Sequence, residues 1–341
     1  MADGTNGSMT ASILPLIRLG FFKPFVDELL HRGCDPSGLF ASAGLSEEAL
    51  LSDDILISAN VMYRLAEEAA ALAQDPFLGA TIGSRFDFRT SELLNPKGRQ
   101  LGTLAEVLIC FVQNATEHAS SQIYSLSISG LRARLFGKRI FVPVGRVHQV
   151  DAWDVAVWTT VIRRLLGRKW DASEYTVRVS NPSVLPEKLL PASCLLQGDN
   201  TGCEILFPSA WLEAKNPIGQ RRRKRRAKSL PPPDTVEQSL REALRSMELS
   251  NAATVKQAAK YFGVHPRALQ RALKEGGSSY FEVIDEQRKI SAMKTLSSDD
   301  MSVTDLATSL GYTDLANFSR AFRRWTGQSP SEYREQNRGH R

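Results

Sequence analysis

No apolar run in the 341-residue chain approaches the roughly 18 to 20 residues needed to cross a bilayer. The longest candidate, LAEVLICFVQNA, is too short. The opening stretch, MADGTNGSMTASILPLIRLGFF, lacks a charged segment ahead of its apolar part and a small-residue cleavage pattern, so no export signal is read and the protein is expected in the cytosol. Cysteine is scarce. Cys34, Cys110, Cys194 and Cys203 are too far apart for a zinc site, and a reducing compartment argues against pairing Cys194 with Cys203, the two nearest in sequence. There is no Gly-rich phosphate loop, no GxSxG elbow and no HExxH, so catalysis has no foothold and neither a cofactor nor a metal is expected. With 42% hydrophobic and 23% charged residues the composition excludes wholesale disorder.

What is present is unevenly distributed. The net charge of +6 divides into 20 lysines and arginines against 23 acids over residues 1–220, seven bases and no acid over 221–228, and 16 bases against 14 acids over 229–341. The basicity is local, so a polyanion would be met by particular faces with the arginine run as an auxiliary. RRRKRRAKSLPPPDT combines self-repelling charges with three prolines and reads as an exposed, semi-extended linker. This gives a first domain over 1–216, a linker over 217–233 and a second domain over 234–341.

In the first domain, PFVDELLHRG, SANVMYRLAEEAAALA and TLAEVLICFVQNATEHA carry apolar residues at three- and four-residue intervals and predict helices. IYSLSISGLRARLFGKRIFVPVG then alternates, predicting a hairpin turning at Gly137-Lys138 with arms near 123–136 and 139–144. A helix over 149–167 and strands in EYTVRVS and GCEILFP complete an α+β domain, helices plus a small antiparallel sheet. The second domain is expected to be all-α.

The second domain contains a repeat. In VKQAAKYFGVHPRALQRALKE, Ala259 lies four residues before Gly263, and Phe262, Val264, Leu269, Ala272 and Leu273 supply the apolar positions. A small residue at 259 lets one helix cross close to the next, and Gly263 can take the positive φ of a tight turn. Thr254 with Gln257 forms a capping-box pattern, and Pro266 suits a first helical turn. The second copy repeats this with Ala307, Gly311 and a Ser302/Asp305 cap. The offset is 48 before the turn and 49 after it, where Leu269, Arg271, Ala272 and Leu273 correspond to Phe318, Arg320, Ala321 and Phe322. The second turn is therefore one residue longer. Between the copies, SSYFEVIDEQRKISAMKTL, capped by Ser279 and Glu282 with apolar Phe281, Ile284, Met293 and Leu296, predicts a connecting helix of about 25 Å over 280–296. Such a spacer brings two second helices within reach of the ~34 Å between successive major grooves.

The stretch VTDLATSLGYTDLANFSRAFRRWTGQSPSEYR resembles the signature of the AraC/XylS family of bacterial transcription regulators, over roughly residues 234–335. The Gly-Tyr turn, the Phe-Ser-Arg-Ala-Phe run and the Gly-x-Ser-Pro-x-x-Tyr-Arg ending carry it. ISANVMYRLAEEAAALAQDPFLGATIGSRF and GTLAEVLICFVQNA resemble, more loosely, the N-terminal ligand-binding and dimerisation domain of one branch of that family. The resemblance implies double-stranded DNA as partner, a homodimer, a small-molecule effector and RNA polymerase as a further candidate partner, with no membrane involvement. Activation or repression depends on where the operator lies relative to the promoter.

On a recognition helix, outward residues near the N-terminus reach bases and basic residues further along meet phosphates. That selects His265, Arg267, Gln270 and Arg271, with Lys274 on phosphate, in the first helix. In the second it selects Thr313, Asp314, Asn317 and Arg320, with Arg323 and Arg324 downstream and apolar Leu315 and Ala316 between. The bland alternative for all of them is a solvated polar face. The first helix is expected to carry most of the base readout. Arg221 to Lys228 reads either as a phosphate clamp or as a solvated linker.

In the first domain His118 and His148 are candidate haem or metal ligands, although isolated histidines are more often ordinary polar residues. Trp153, Trp158 and Trp170 either line a pocket or pack in the core. A DNA-repair methyltransferase can carry a similar DNA-binding module, but its thiolate needs a neighbouring base or cation. None of GCDP, ICFV, SCLL and GCEI provides one. An architectural DNA-binding protein without a ligand is the other rival.

Overall fold

The computed structural model describes residues 14–45, 55–87, 101–216, 231–245, 249–298 and 301–338. Backbone contacts divide the chain into two compact units, one containing Pro233–Arg341 and the other Pro15–Ala43 with Leu50–Pro232. The Arg221 to Lys228 run lies outside the described residues.

In the N-terminal unit, β1 (Leu16–Arg18) pairs antiparallel with β2 (Leu56–Ser58), and the helices α1 (Lys23–His31), α2 (Ser37–Ala43), α3 (Ala59–Leu72) and α4 (Leu78–Ser84) surround them. Next come α5 (Leu104–Asn114), β3 (Gln122–Ser129), β4 (Arg132–Arg139), α6 (His148–Leu166), β5 (Thr176–Val179), β6 (Leu195–Gln197) and β7 (Gly202–Pro208). The five-stranded sheet runs β3-β4-β7-β5-β6, antiparallel throughout except for the parallel β5–β6 pair. Inward residues alternate as a half-buried sheet demands: Ala133 and Leu135 on β4, Val177 and Val179 on β5, and Ile205 and Phe207 on β7. They meet Val155, Trp158 and Ile162 of α6 and Val107, Leu108 and Phe111 of α5 in one core.

The hairpin differs from its sequence expectation. β3 and β4 turn at Gly130-Leu131, with Gly130 at φ +57, and pair in register from Gln122↔Arg139 to Ser129↔Arg132. Gly137 lies inside β4, opposite Tyr124. Its missing side chain has a purpose there, because a Cβ would stand 2.6 Å from Tyr124 Cε1. The glycine seats a ring rather than making a turn.

Two further glycines explain a contact that periodicity did not reveal. Gly79 and Gly83, four apart on one face of α4, let the backbone of α6 approach so closely that a Cβ would lie 2.1 Å from Gln149 O at one and 2.5 Å from Trp153 O at the other. Gln149 locks the crossing: its side chain accepts the Gly79 N–H (2.9 Å) and donates to Pro76 O (3.0 Å). Gly79→Ala would force the two helices apart.

The C-terminal unit is all-helical: α7 (Val236–Leu244), α8 (Val255–Phe262), α9 (Pro266–Glu275), α10 (Tyr280–Ser298), α11 (Val303–Ser309), α12 (Leu315–Thr326) and α13 (Pro330–Arg338). Here α10 packs on α7 and α13, α8 on α9 and α11 on α12. Of the apolar residues named for this helix, Ile284 and Leu296 are buried with Tyr280 and Val283, whereas Phe281 is 63% exposed.

Candidate nucleic-acid interface and effector cavity

The two helix pairs are built on one hydrogen-bond plan. Thr254 caps α8 by accepting the Gln257 N–H, and the Gln257 side chain accepts from the Thr254 N–H (2.9 Å), completing a capping box. Forty-eight residues on, Ser302 caps α11 by accepting the Asp305 N–H (3.0 Å), while its own hydroxyl donates to the Asp305 carboxylate (2.6 Å). Both first helices end in paired bonds that close the last turn. Val264 N–H donates to Ala259 O (2.9 Å) and Gly263 N–H to Lys260 O (3.2 Å). Tyr312 N–H donates to Ala307 O (3.0 Å) and Gly311 N–H to Thr308 O (2.9 Å). Gly263 and Gly311 sit at φ +66 and +80.

The second helices start at caps 49 residues apart. His265 caps α9, its Nδ1 accepting the Arg267 N–H at 3.2 Å, which selects the neutral tautomer with the proton on Nε2. Asp314 caps α12, accepting the Asn317 N–H at 2.7 Å. Leu269 and Leu273 anchor α9 inward, and Phe318 and Phe322 do the same for α12. On the outer face of α9, His265, Arg267, Gln270, Arg271 and Lys274 are all exposed. Arg271 lies 3.8 Å from Glu275, a surface pair of little strength.

The outer face of α12 is more committed. The Asn317 amide donates to Asp314, and Arg320 donates to Asn317 Oδ1, an i,i+3 ladder along the helix. Arg324 donates to Asp285 Oδ2 of α10 at 2.7 Å, sharing that oxygen with Trp325 Nε1 at 2.8 Å. Thr313, Leu315, Ala316 and Arg323 are exposed.

Arg288 of α10 is buried, donates from Nε to Leu310 O (2.8 Å) and lies 4.7 Å over the Tyr312 ring. It thereby holds the α11–α12 turn. Gly311 completes the fit, since a Cβ there would stand 2.9 Å from Ala253 Cβ and 3.2 Å from Arg288 Nη2. The final Gly-x-Ser-Pro-x-x-Tyr-Arg run closes the unit: Ser329 and Glu332 cap α13, Tyr333 packs edge-on against Phe322 (5.4 Å) and Arg334 donates to Met301 O (2.6 Å).

The N-terminal unit holds a cavity of about 90 Å³ between β1, α1, α3, α5 and α6. Phe21, Phe86, Phe111, Trp153 and Trp158 line it, with Ser121, Gln122, Tyr124, His118 and Asp154 as its polar members. Trp153 and Trp158 therefore both pack and line a pocket, whereas Trp170 packs at a tilt against Tyr175 and Trp211 elsewhere. His148 lies away from the cavity, its Nδ1 3.4 Å from Asn181 Nδ2. Behind the cavity wall, Arg139 of β4 forms a fully buried ion pair with Asp151 of α6, to which Ser180 also donates (2.5 Å). Burial, reinforced by the Asp151 carboxylate, pushes the Asp154 carboxyl up to about 7, and the Tyr124 hydroxyl donates to it (3.0 Å). Burial and the neighbouring Asp154 hold the Tyr124 hydroxyl well above an ordinary tyrosine. All four cysteines are free thiols, and burial raises that of Cys203.

Comparison with known proteins bears directly on this arrangement. A family profile described as "Arabinose-binding domain of AraC transcription regulator, N-term" matches residues 33–216, more than half of the chain, and one described as "Helix-turn-helix domain" matches 258–336. The chain belongs to the AraC family of transcription regulators. Relatives of this AraC-family protein include the ornithine utilization regulator of Pseudomonas aeruginosa, 23% identical over 96% of this chain and 98% of that protein. The regulator VqsM of the same organism is 40% identical over 22% of this chain and 23% of its own length, and an uncharacterized HTH-type regulator of Mycobacterium tuberculosis is 43% identical over 20% of each. The crystal structure of the transcriptional regulator CdpR from Pseudomonas aeruginosa covers 93% of this chain and 98% of its own at 17% identity, with a TM-score of 0.38.

The AraC-family chain is thus a DNA-binding transcription regulator with a ligand-binding type of N-terminal domain. Among the described residues no helix is long and apolar enough to cross a membrane, and no cluster of three or more His, Cys, Asp or Glu could hold a metal. Sequence reasoning singled out the outward residues of both second helices but not Arg288, Asp285 or Asp154. For Arg288 no local signal was available, because polar and apolar residues are spread almost evenly around α10.

Proposed function

We propose that this AraC-family regulator lays α9 and α12 into successive major grooves on one side of a duplex. Residues 234–341 bind DNA, 217–233 link, and 1–216 sense a small molecule and join two copies. The observation that supports the reading best is the repeated frame, with caps at matching offsets, buried anchors and an exposed outer face at the start of each second helix. In this reading Arg267, Gln270 and Arg271 read base edges, Arg to guanine and Gln to adenine, each for about 1 to 3 kcal/mol of discrimination. His265 offers its Nε2–H, and Lys274 meets phosphate. Thr313, Asp314, Asn317 and Arg320 contribute less base readout because their polar groups are already tied along α12. Leu315 and Ala316 suit thymine methyls, while Arg323 and Arg324 serve phosphates.

The cavity is the effector site in this reading, and a relative named for ornithine utilization supports a metabolite as the signal. A homodimer extends the operator to two such sites, and RNA polymerase is the partner when the regulator activates. Hydroxyl-radical footprinting tests the core of the proposal. Two protected stretches about one helical turn apart, with base substitutions most damaging in the half facing α9, are expected. A single protected half-turn, or greater damage in the half facing α12, refutes it.

A further inference from the structure

Asp154 stands 7% exposed on the cavity wall, among rings, aliphatic chains and the polar side chains of His118, Ser121 and Gln122. Its carboxyl group belongs to a buried cluster that holds two carboxylates, Asp151 and Asp154, and one guanidinium, Arg139. The guanidinium is already spent on Asp151, and it also donates to Asn200 O (3.1 Å) and the Tyr63 hydroxyl (3.3 Å). Among the described residues only a phenolic hydroxyl, that of Tyr124, lies within hydrogen-bond distance of Asp154 (3.0 Å), and that hydroxyl is nearer to Gln122 Oε1 (2.5 Å). A buried carboxylate with a neutral partner and no cation of its own is costly, and burial accordingly holds a proton on it up to about pH 7. A ligand that brought a positive charge would relieve that cost. The walls are suited to such a charge, since Trp153, Trp158, Phe111 and Tyr124 line the cavity, and aromatic rings accept an apolar body and, over their faces, an ammonium.

We infer that the cavity binds a small monoamine with an aromatic or branched aliphatic body, its ammonium group paired with the Asp154 carboxylate. The inference rests on the reading of this cavity as the effector site. Size limits the body: at about 10 to 15 Å³ per water-sized group, 90 Å³ admits about six to nine non-hydrogen atoms. Among the described residues the lining holds no second carboxylate, so a diamine, which would bury an unpaired second charge, is disfavoured. His118, on the same wall, would favour a carboxylic acid if it were the recognising group, and the test separates the two.

The experiment is calorimetric titration of the full-length protein with three ligands of one ring and near-equal size, all within that limit: benzylamine, benzyl alcohol and benzoate. The amine is expected to bind about tenfold or more tightly than the alcohol, the equivalent of one charge-assisted contact, and the acid not at all. Asp154→Asn should abolish the preference for the amine while raising the thermal midpoint of the ligand-free protein, because the buried charge is gone. Val157→Phe, which fills the cavity, should remove binding of amine and alcohol alike. Equal or tighter binding of the acid or the alcohol, a preference for the amine that survives Asp154→Asn, or binding that survives Val157→Phe would each overturn the inference. So would failure of all three ligands to bind. Footprinting on the same preparation keeps that failure separate from failure of the DNA-binding reading. Should Asp154→Asn not fold, the ranking on the native chain and the Val157→Phe result still decide.

Discussion

In the first helix-turn-helix copy the side chains of Arg267, Gln270 and Lys274 enter no hydrogen bond or ion pair among the described residues. In the second, Asp314, Asn317 and Arg320 are laced to one another and Arg324 is tied to α10. The frames beneath are alike, down to the 48- and 49-residue offsets of their caps and turns. The difference therefore lies in where each copy sends its polar groups. Those of α9 retain their full donor capacity and their rotamer freedom until a partner arrives. Those of α12 have exchanged both for local order, so its face is preorganised and offers less to a base edge.

Four measurements would break or sharpen this contrast. The largest effect is expected from Arg288→Ala, which leaves the Leu310 carbonyl without its donor and Tyr312 without its cation. Loss of about 2 to 4 kcal/mol of stability in the C-terminal unit, seen as a fall of its denaturation midpoint, with protection disappearing first on the α12 half of the operator, is the expected result. Next, Arg267→Ala and Arg271→Ala should each weaken operator binding by about 1 to 3 kcal/mol and relax base preference at one position. Arg320→Ala should cost less than either; equal losses on electrophoretic titration would erase the asymmetry. Third, Thr254→Ala should cost about 1 kcal/mol and somewhat more than Ser302→Ala, because only the former cap has its reciprocal side-chain bond. Urea midpoints compare the two. The smallest effect is expected from Asp285→Asn, which weakens a pair whose arginine is exposed and should change stability by less than about 1 kcal/mol. By releasing Arg324 and removing a nearby negative charge, it should tighten DNA binding a few-fold at low salt and steepen the salt dependence.

Much of this frame was readable from residues. Thr254, Gln257, Ser302 and the two turn glycines carry local chemistry that acts within a few positions, so their spacing is enough to place both motifs. The exposed faces of α9 and α12 follow from the same register. What escaped was non-local. Gly137 appeared to be a turn residue because nothing in the neighbouring sequence reveals that Tyr124 lies across it. Gly79 and Gly83 gave no strand or turn signal, since their role is to admit the backbone of an element some seventy residues away. The inward Arg288 and the Arg139–Asp151 pair look like surface charges until the partner across the core is known. Asp154 was hidden for the same reason, as its chemistry comes from burial and from Asp151 rather than from its position on α6.

The seat of Gly311 has a consequence for how the repeat can be handled. Ala253, which precedes the first copy, and Arg288, which follows it, both press on the turn of the second. Two similar paragraphs of sequence are thus bound as one volume. A chain cut after Ser298 would strand a buried guanidinium with no acceptor and open the hydrophobic floor beneath residues 249–253, so a half-length version should be a collapsed, sticky intermediate instead of a miniature single-groove reader. Anyone wishing to graft the specificity of one copy onto another scaffold would have to exchange surface residues of α9 alone and leave its clasp intact.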